Sequence, residues 1–149
     1  MKKKIGVIGI GRLGLPLALN FEQAGFEVLG CDVRKDYVEE VNSKLFSSIE
    51  SEVNNLLNSS TNFKATTSLE YVIKESEIIF LCLRTETNMD GSYDVSQVDT
   101  VVNDIKELGK IADTKLLIVN CNVNPGYTNS IRTKLSGLGY SVNFNPEWV

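Results

Sequence analysis

Three glycines near the start of the chain, Gly9, Gly11 and Gly14, stand in the spacing G-x-G-x-x-G within KIGVIGIGRLGLPLALNF. Each has a physical task in a phosphate-binding turn. The first permits a tight turn, the second lets phosphates approach the backbone, and the third lets a helix pack close to a strand. A helix opening there would point unpaired N–H groups and a partial positive charge at an anion. Ile10, Arg12 and Leu13 complete the expected cradle. The motif alone is weak evidence. Asp32 strengthens it, lying eighteen residues after Gly14, close to the ~20 at which an acid accepts bonds from the hydroxyls of an adenosine ribose.

A pyrophosphate cradle followed by such an acid predicts a dinucleotide. A 2′-phosphate beside Asp32 would be repelled by about 4 kcal/mol per charge at ~4 Å and an effective dielectric near 20. NAD is therefore expected over NADP, with FAD a lesser alternative. Val33 and Arg34 follow the acid and join the expected cofactor contacts. Arg34 and Lys35 pull the other way, since basic residues just past this strand can hold a 2′-phosphate. The plainer reading makes both solvated surface charges. Arg12, in the first turn of the expected helix, has two readings as well. Its guanidinium either adds charge-assisted bonds to the pyrophosphate or points to solvent.

Other chemistry is limited by what the chain lacks. It has no histidine, the commonest general base and metal ligand. Its three cysteines, Cys31, Cys82 and Cys121, are far apart and form no C-x-x-C pair, so neither a disulfide framework nor a zinc site is expected. Cys121 as a nucleophile would have no histidine to activate it. A net charge of −4 and a pI near 4.9 argue against nucleic acid as a partner. No apolar run reaches the ~18 residues of a membrane helix. The basic run Lys2-Lys3-Lys4 precedes an apolar stretch too short and too broken for a signal peptide, so a cytoplasmic chain is expected.

These residues must be positioned by regular elements. With 149 residues, of which 42% are hydrophobic, one domain with one real core is expected over 1–149. Residues 4–9 read as a strand and 12–24 as a helix ended by Gly25. A strand follows at 27–32, helices at 35–45 and 50–58, and a short strand at 62–66. Thr67 and Glu70 look like a capping box opening a helix near Ser68, as do Asp94 and Gln97 before the apolar face of Val95, Val98, Val102 and Ile105. EIIFLCL at 77–83 and KLLIVNC at 115–121 are solid apolar strands. A helix is expected over 127–136, and YSVNFN at 140–145 alternates as an edge strand does. Strands apolar on both faces, alternating with helices, predict an α/β fold. It would be a doubly wound, mostly parallel sheet of Rossmann type in three layers. The polar stretch 84–93 follows a central strand, where such sheets place ligand-contacting loops.

Along its whole length the chain resembles the N-terminal domain of the UDP-glucose/GDP-mannose dehydrogenase family. The likeness is carried by KIGVIGIGRLGLPLA, by Asp32, by TTS at 66–68, by LCLRTET, by DVSQV at 94–98, by NCNVNPGYT and by NPEWV. The resemblance implies oxidation of the 6-hydroxyl of a nucleotide sugar to a carboxylate with two NAD turnovers. It also implies homodimerisation of full-length members. It places Leu83, Arg84 and Thr85 in the cofactor loop, with Arg84 where the family has proline. It places Asn122 where the family has a threonine that helps hold a catalytic water, and so in both cofactor and catalytic groups. Glu147 falls on an acid close to substrate, and Trp148 beside it is a candidate cover for a sugar or base. Arg12 stands where an aromatic is usual. The family's catalytic cysteine, lysine and asparagine lie further along, in a central helix and a second domain beyond Val149. The expected chain is thus a shortened piece or a naturally short relative. A dinucleotide-binding module without turnover is the alternative.

Overall fold

The structure is a computed structural model describing residues 3–147. Trp148 lies outside the described residues. Strands β1 (Lys4–Ile8), β2 (Glu27–Cys31), β3 (Phe63–Thr66), β4 (Ile78–Leu81), β5 (Lys115–Val119) and β6 (Tyr140–Phe144) form one sheet in the order β3-β2-β1-β4-β5-β6. Every pairing is parallel. The strands alternate with helices α1 (Gly14–Gln23), α2 (Lys35–Asn42), α3 (Ser51–Ser59), α4 (Leu69–Glu75), α5 (Ser96–Glu107) and α6 (Tyr127–Lys134), with α2 and α3 both between β2 and β3. This is the doubly wound, three-layer arrangement that the unbroken apolar strands predict.

Alternation along the central strands feeds two cores. Ile79 and Leu81 of β4 pack with Val72, Ile73, Val98, Val102, Ile105 and Ile131 from α4, α5 and α6. Phe80 of β4 packs on the opposite face with Val7 and with Leu15, Leu19, Val38, Val41 and Leu57 from α1, α2 and α3. Sequence order reverses where β1 lies beside β4. The two chains leaving these strands diverge there and open a crevice at the C-terminal end of the sheet.

The helix ends explain which local signals hold. Gly25, at φ +94°, donates to the Glu22 carbonyl and Phe26 donates to that of Phe21. The Phe21 and Phe26 rings meet edge-on at 6.5 Å. That is a complete Schellman closure. The two expected capping boxes are corrected. Ser68, not Thr67, caps α4, its hydroxyl accepting from the Tyr71 N–H at 3.2 Å. Before α5, the Asp94 carboxylate accepts from Ser96 N–H at 2.9 Å, while the cap position is Val95. Helix α1 starts at Gly14, so Arg12 lies in the turn before it rather than in its first turn.

Side chains also close the sheet's two margins. At β3 the Asn42 amide accepts from Ala65 N–H and donates to Ala65 C=O, each at 2.9 Å. At β6 the Arg132 guanidinium donates to the Val142 carbonyl at 3.0 Å.

Candidate dinucleotide site

The three glycines are required for three different reasons. Gly9 takes φ +89°, and a Cβ there would lie 2.5 Å from the carbonyl oxygen of Cys82. A Cβ on Gly14 would lie 1.9 Å from the carbonyl oxygen of Gly9, so only glycine lets α1 come this close to the turn. Gly11 meets nothing within 4 Å. Among the described residues no atom demands a glycine there, so a side chain at this position would meet only open space. The backbone around it is suitable for an anion. The bond that begins α1 runs from Leu15 N–H to the Gly11 carbonyl at 3.1 Å, so the amides preceding Leu15 have no intrahelical acceptor. No acidic side chain lies in the first turn of α1 to compete for them. The loop therefore fits a pyrophosphate, with Gly11 at the point of approach.

Asp32 follows directly after β2 on the same side of the sheet, its side chain 8% exposed. It is not a bare carboxylate. Arg34 donates to it three times: its backbone N–H and Nε to Oδ1 at 3.1 and 2.9 Å, and its Nη2 to Oδ2 at 2.9 Å. The paired carboxylate holds the Arg34 guanidinium above its usual basicity. The guanidinium also stacks over the Tyr37 ring, 4.1 Å from its centroid. The Tyr37 hydroxyl donates to the carbonyl of Ile10 at 2.6 Å, tying α2 to the glycine loop. Lys35 reaches only Glu39, at 3.8 Å on an exposed helix face, as a solvated charge does.

At the other end of the crevice, Leu13, Cys82, Leu83, Arg84, Thr85, Asn120, Cys121, Asn122 and Glu147 line a cavity of about 200 Å³. The Asn122 side-chain oxygen is buried there with no hydrogen-bond partner among the described residues. Asn120, 6% exposed, extends its amide to Glu147 Oε2 at 3.4 Å. Burial pushes the Cys82 thiol up to about 12, with Cys121 and Glu147 adding to the effect. Burial raises the Cys121 thiol as well. Neither is the low-pKa thiolate that nucleophilic catalysis requires.

Residues 3–149 match the sequence pattern of the UDP-glucose/GDP-mannose dehydrogenase family, NAD binding domain. The chain belongs to that family. An uncharacterized protein of Methanocaldococcus jannaschii is 31% identical over 146 residues, which is 97% of this chain and 16% of that protein. The UDP-N-acetyl-D-mannosamine dehydrogenase of Pyrococcus horikoshii is 29% identical over 147 residues, 95% of this chain and 34% of that enzyme. A crystal structure of a ternary complex of GDP-mannose dehydrogenase from Pseudomonas aeruginosa superposes with a TM-score of 0.86 at 24% identity, over 97% of this chain and 36% of that one. The chain thus spans about a third or less of the length of these relatives. What it carries is the family's NAD binding domain, and NAD is its cofactor.

Seen as a member of this dehydrogenase family, the chain gathers most residues expected from its sequence at the C-terminal end of the sheet. Gly9, Ile10, Gly11 and Gly14 build the turn, while Leu13, Leu83, Arg84, Thr85, Asn122 and Glu147 share the cavity. Arg12 is exposed in the turn beside them. Val33 is 92% exposed just past Asp32. Arg84 Nη2 is engaged by Glu86 at 2.6 Å. Two contributors were missed by sequence reasoning. Asn120 lay near the end of the run KLLIVNC at 115–121, which reads as an apolar strand. Tyr37 carried no signal beyond its place in an amphipathic helix.

Proposed function

We propose that this chain is the cofactor-binding part of an NAD-dependent dehydrogenase that oxidises a nucleotide-sugar CH–OH to a carboxylate. Residues 1–149 would form its dinucleotide-binding unit, with the substrate-selecting groups supplied by a second domain. The observation that carries the reading is Gly11. It is a glycine with open space around it, between two glycines that the fold itself requires. The amides of the turn would hold the pyrophosphate and Asp32 the adenosine ribose, with Val33 and Arg34 beside it. NAD supplies a hydride acceptor. Leu83, Arg84 and Thr85, leaving β4, would flank its reactive end. Asn122 would turn its unpartnered buried oxygen toward a water or an amide hydrogen, since an amide accepts hydrogen bonds but takes no proton. Glu147, with Asn120 reaching toward it, would face the sugar.

Calorimetric titration with NAD is expected to show one site per chain. Joined to the downstream sequence of a relative, the chain is expected to reduce NAD with UDP-N-acetylmannosamine, UDP-glucose or GDP-mannose. Binding without turnover in that chimera, with a native relative active alongside, would favour a second reading: a dinucleotide-binding module. Asn122, which cannot act as a base, is the residue that speaks for it.

A further inference from the structure

We propose that Arg34 sets the dinucleotide preference of this domain, by neutralising Asp32 and offering its own guanidinium to a 2′-phosphate. The proposal rests on the NAD-site reading above. An acid at the end of the second strand rejects the 2′-phosphate of NADP through its unpaired charge, and an arginine nearby accommodates that phosphate. Here the two residues form one unit. The carboxylate is buried and is met by the Arg34 fork at both oxygens. To an approaching phosphate the pair presents nearly no net charge, where a lone acid would present −1. The outer part of the fork remains available, because the Arg34 side chain is 57% exposed. Arg34 is also pre-oriented. The Tyr37 ring lies beneath it, and the Tyr37 hydroxyl is anchored to the Ile10 carbonyl, so the guanidinium keeps a fixed place relative to the glycine loop. Val33, almost wholly exposed, leaves the approach open. Asp32 keeps a use toward an unphosphorylated ribose, since Oδ2 accepts one bond and has capacity for a second.

The consequence is a site that holds both dinucleotides. Calorimetric titration of NAD and of NADP into the wild-type chain, Arg34→Ala and Arg34→Lys tests it. We expect the wild type to bind NADP within about tenfold of NAD, because the Asp32 charge is compensated. Arg34→Ala should shift the NADP/NAD ratio of dissociation constants at least about tenfold toward NAD, as the acid becomes unpaired. Arg34→Lys, which keeps the charge and loses the fork, should fall between them. NADP binding in the wild type should also weaken more steeply with salt than NAD binding. A wild type that binds NAD and shows no NADP binding overturns the proposal. So does a ratio unchanged within twofold between wild type and Arg34→Ala. A wild type that binds neither dinucleotide overturns the NAD-site reading and this proposal with it.

Discussion

The two ends of the crevice differ in how completely their polar groups are satisfied. At the β2 end every prominent group has a partner: Asp32 with Arg34, Arg34 over Tyr37, Tyr37 on Ile10. At the end formed by the exits of β4 and β5, Asn122 holds a buried oxygen without a partner among the described residues, and Glu147 is exposed, reached by one long bond from Asn120. Buried polar groups are nearly always paired, and an exception calls for a reason. The contrast teaches that the β2 end is satisfied among the described residues. The other end keeps unmet hydrogen-bonding capacity, which the proposed function assigns to a cofactor headgroup and the substrate beyond it.

The strongest way to break the comparison lies between the two ends. Gly14→Ala puts a methyl group on the Gly9 carbonyl and is expected to cost at least ~3 kcal/mol, lowering Tm by roughly 10 °C. Gly11→Val should leave Tm nearly unchanged and weaken NAD binding by tenfold or more, because its side chain enters space that only the ligand needs. A Gly11→Val protein that binds NAD normally would rule out the glycine turn as the anion site. Asp32→Ala should weaken NAD about tenfold or more through a lost charged hydrogen bond, and should cost about 1 kcal/mol of stability, since Arg34 is largely exposed. Unchanged affinity would separate the acid from the ribose.

Alkaline pH sharpens the contrast through the thiols. Folding raises Cys31 to about 11, by burial and then by Asp32, and Cys82 to about 12. Above pH ~9 the unfolded chain loses these protons while the folded chain keeps them. Stability is therefore unaffected by them below pH 9 and falls progressively as pH rises toward 11–12. Urea titrations at pH 8, 9 and 10 should show the decline, and Cys31→Ser/Cys82→Ser should reduce it. The smallest effect is expected at the unsatisfied end. Asn122→Ala should change stability by under ~0.5 kcal/mol, because its oxygen has no bond to lose. Asn42→Ala, which loses both bonds at Ala65, should cost about 1–2 kcal/mol.

The architecture was legible because its signals are local and redundant. The apolar runs at 77–83 and 115–121 hold the strands Ile78–Leu81 and Lys115–Val119, and Gly25 ends α1 as its position predicts. The cap at Ser68 was misread by one residue, since Thr66, Thr67 and Ser68 are chemically interchangeable as caps. Only the chain path decides that Thr66 accepts from Ser68 N–H while Ser68 accepts from Tyr71 N–H. The glycine loop was legible for a similar reason to the strands: its spacing encodes its geometry. The Asp32–Arg34–Tyr37 unit was not, because a salt bridge two residues apart depends on the direction a strand exit turns. Asn120 was hidden for another reason. Its contact to Glu147 spans 27 residues and exists only once β5 and the chain after β6 lie side by side.

A sheet whose outermost ladders are exposed is a template for another chain, and stacking from margin to margin is how such folds form fibres. Here a carboxamide clasps the Ala65 peptide on one rim and a guanidinium occupies the Val142 carbonyl on the other. A neighbouring molecule seeking to extend the sheet would first have to displace the clasp on the rim it approaches. A concentrated preparation is therefore expected to stay dispersed rather than polymerise, and removing either clasp is the direct route to aggregation.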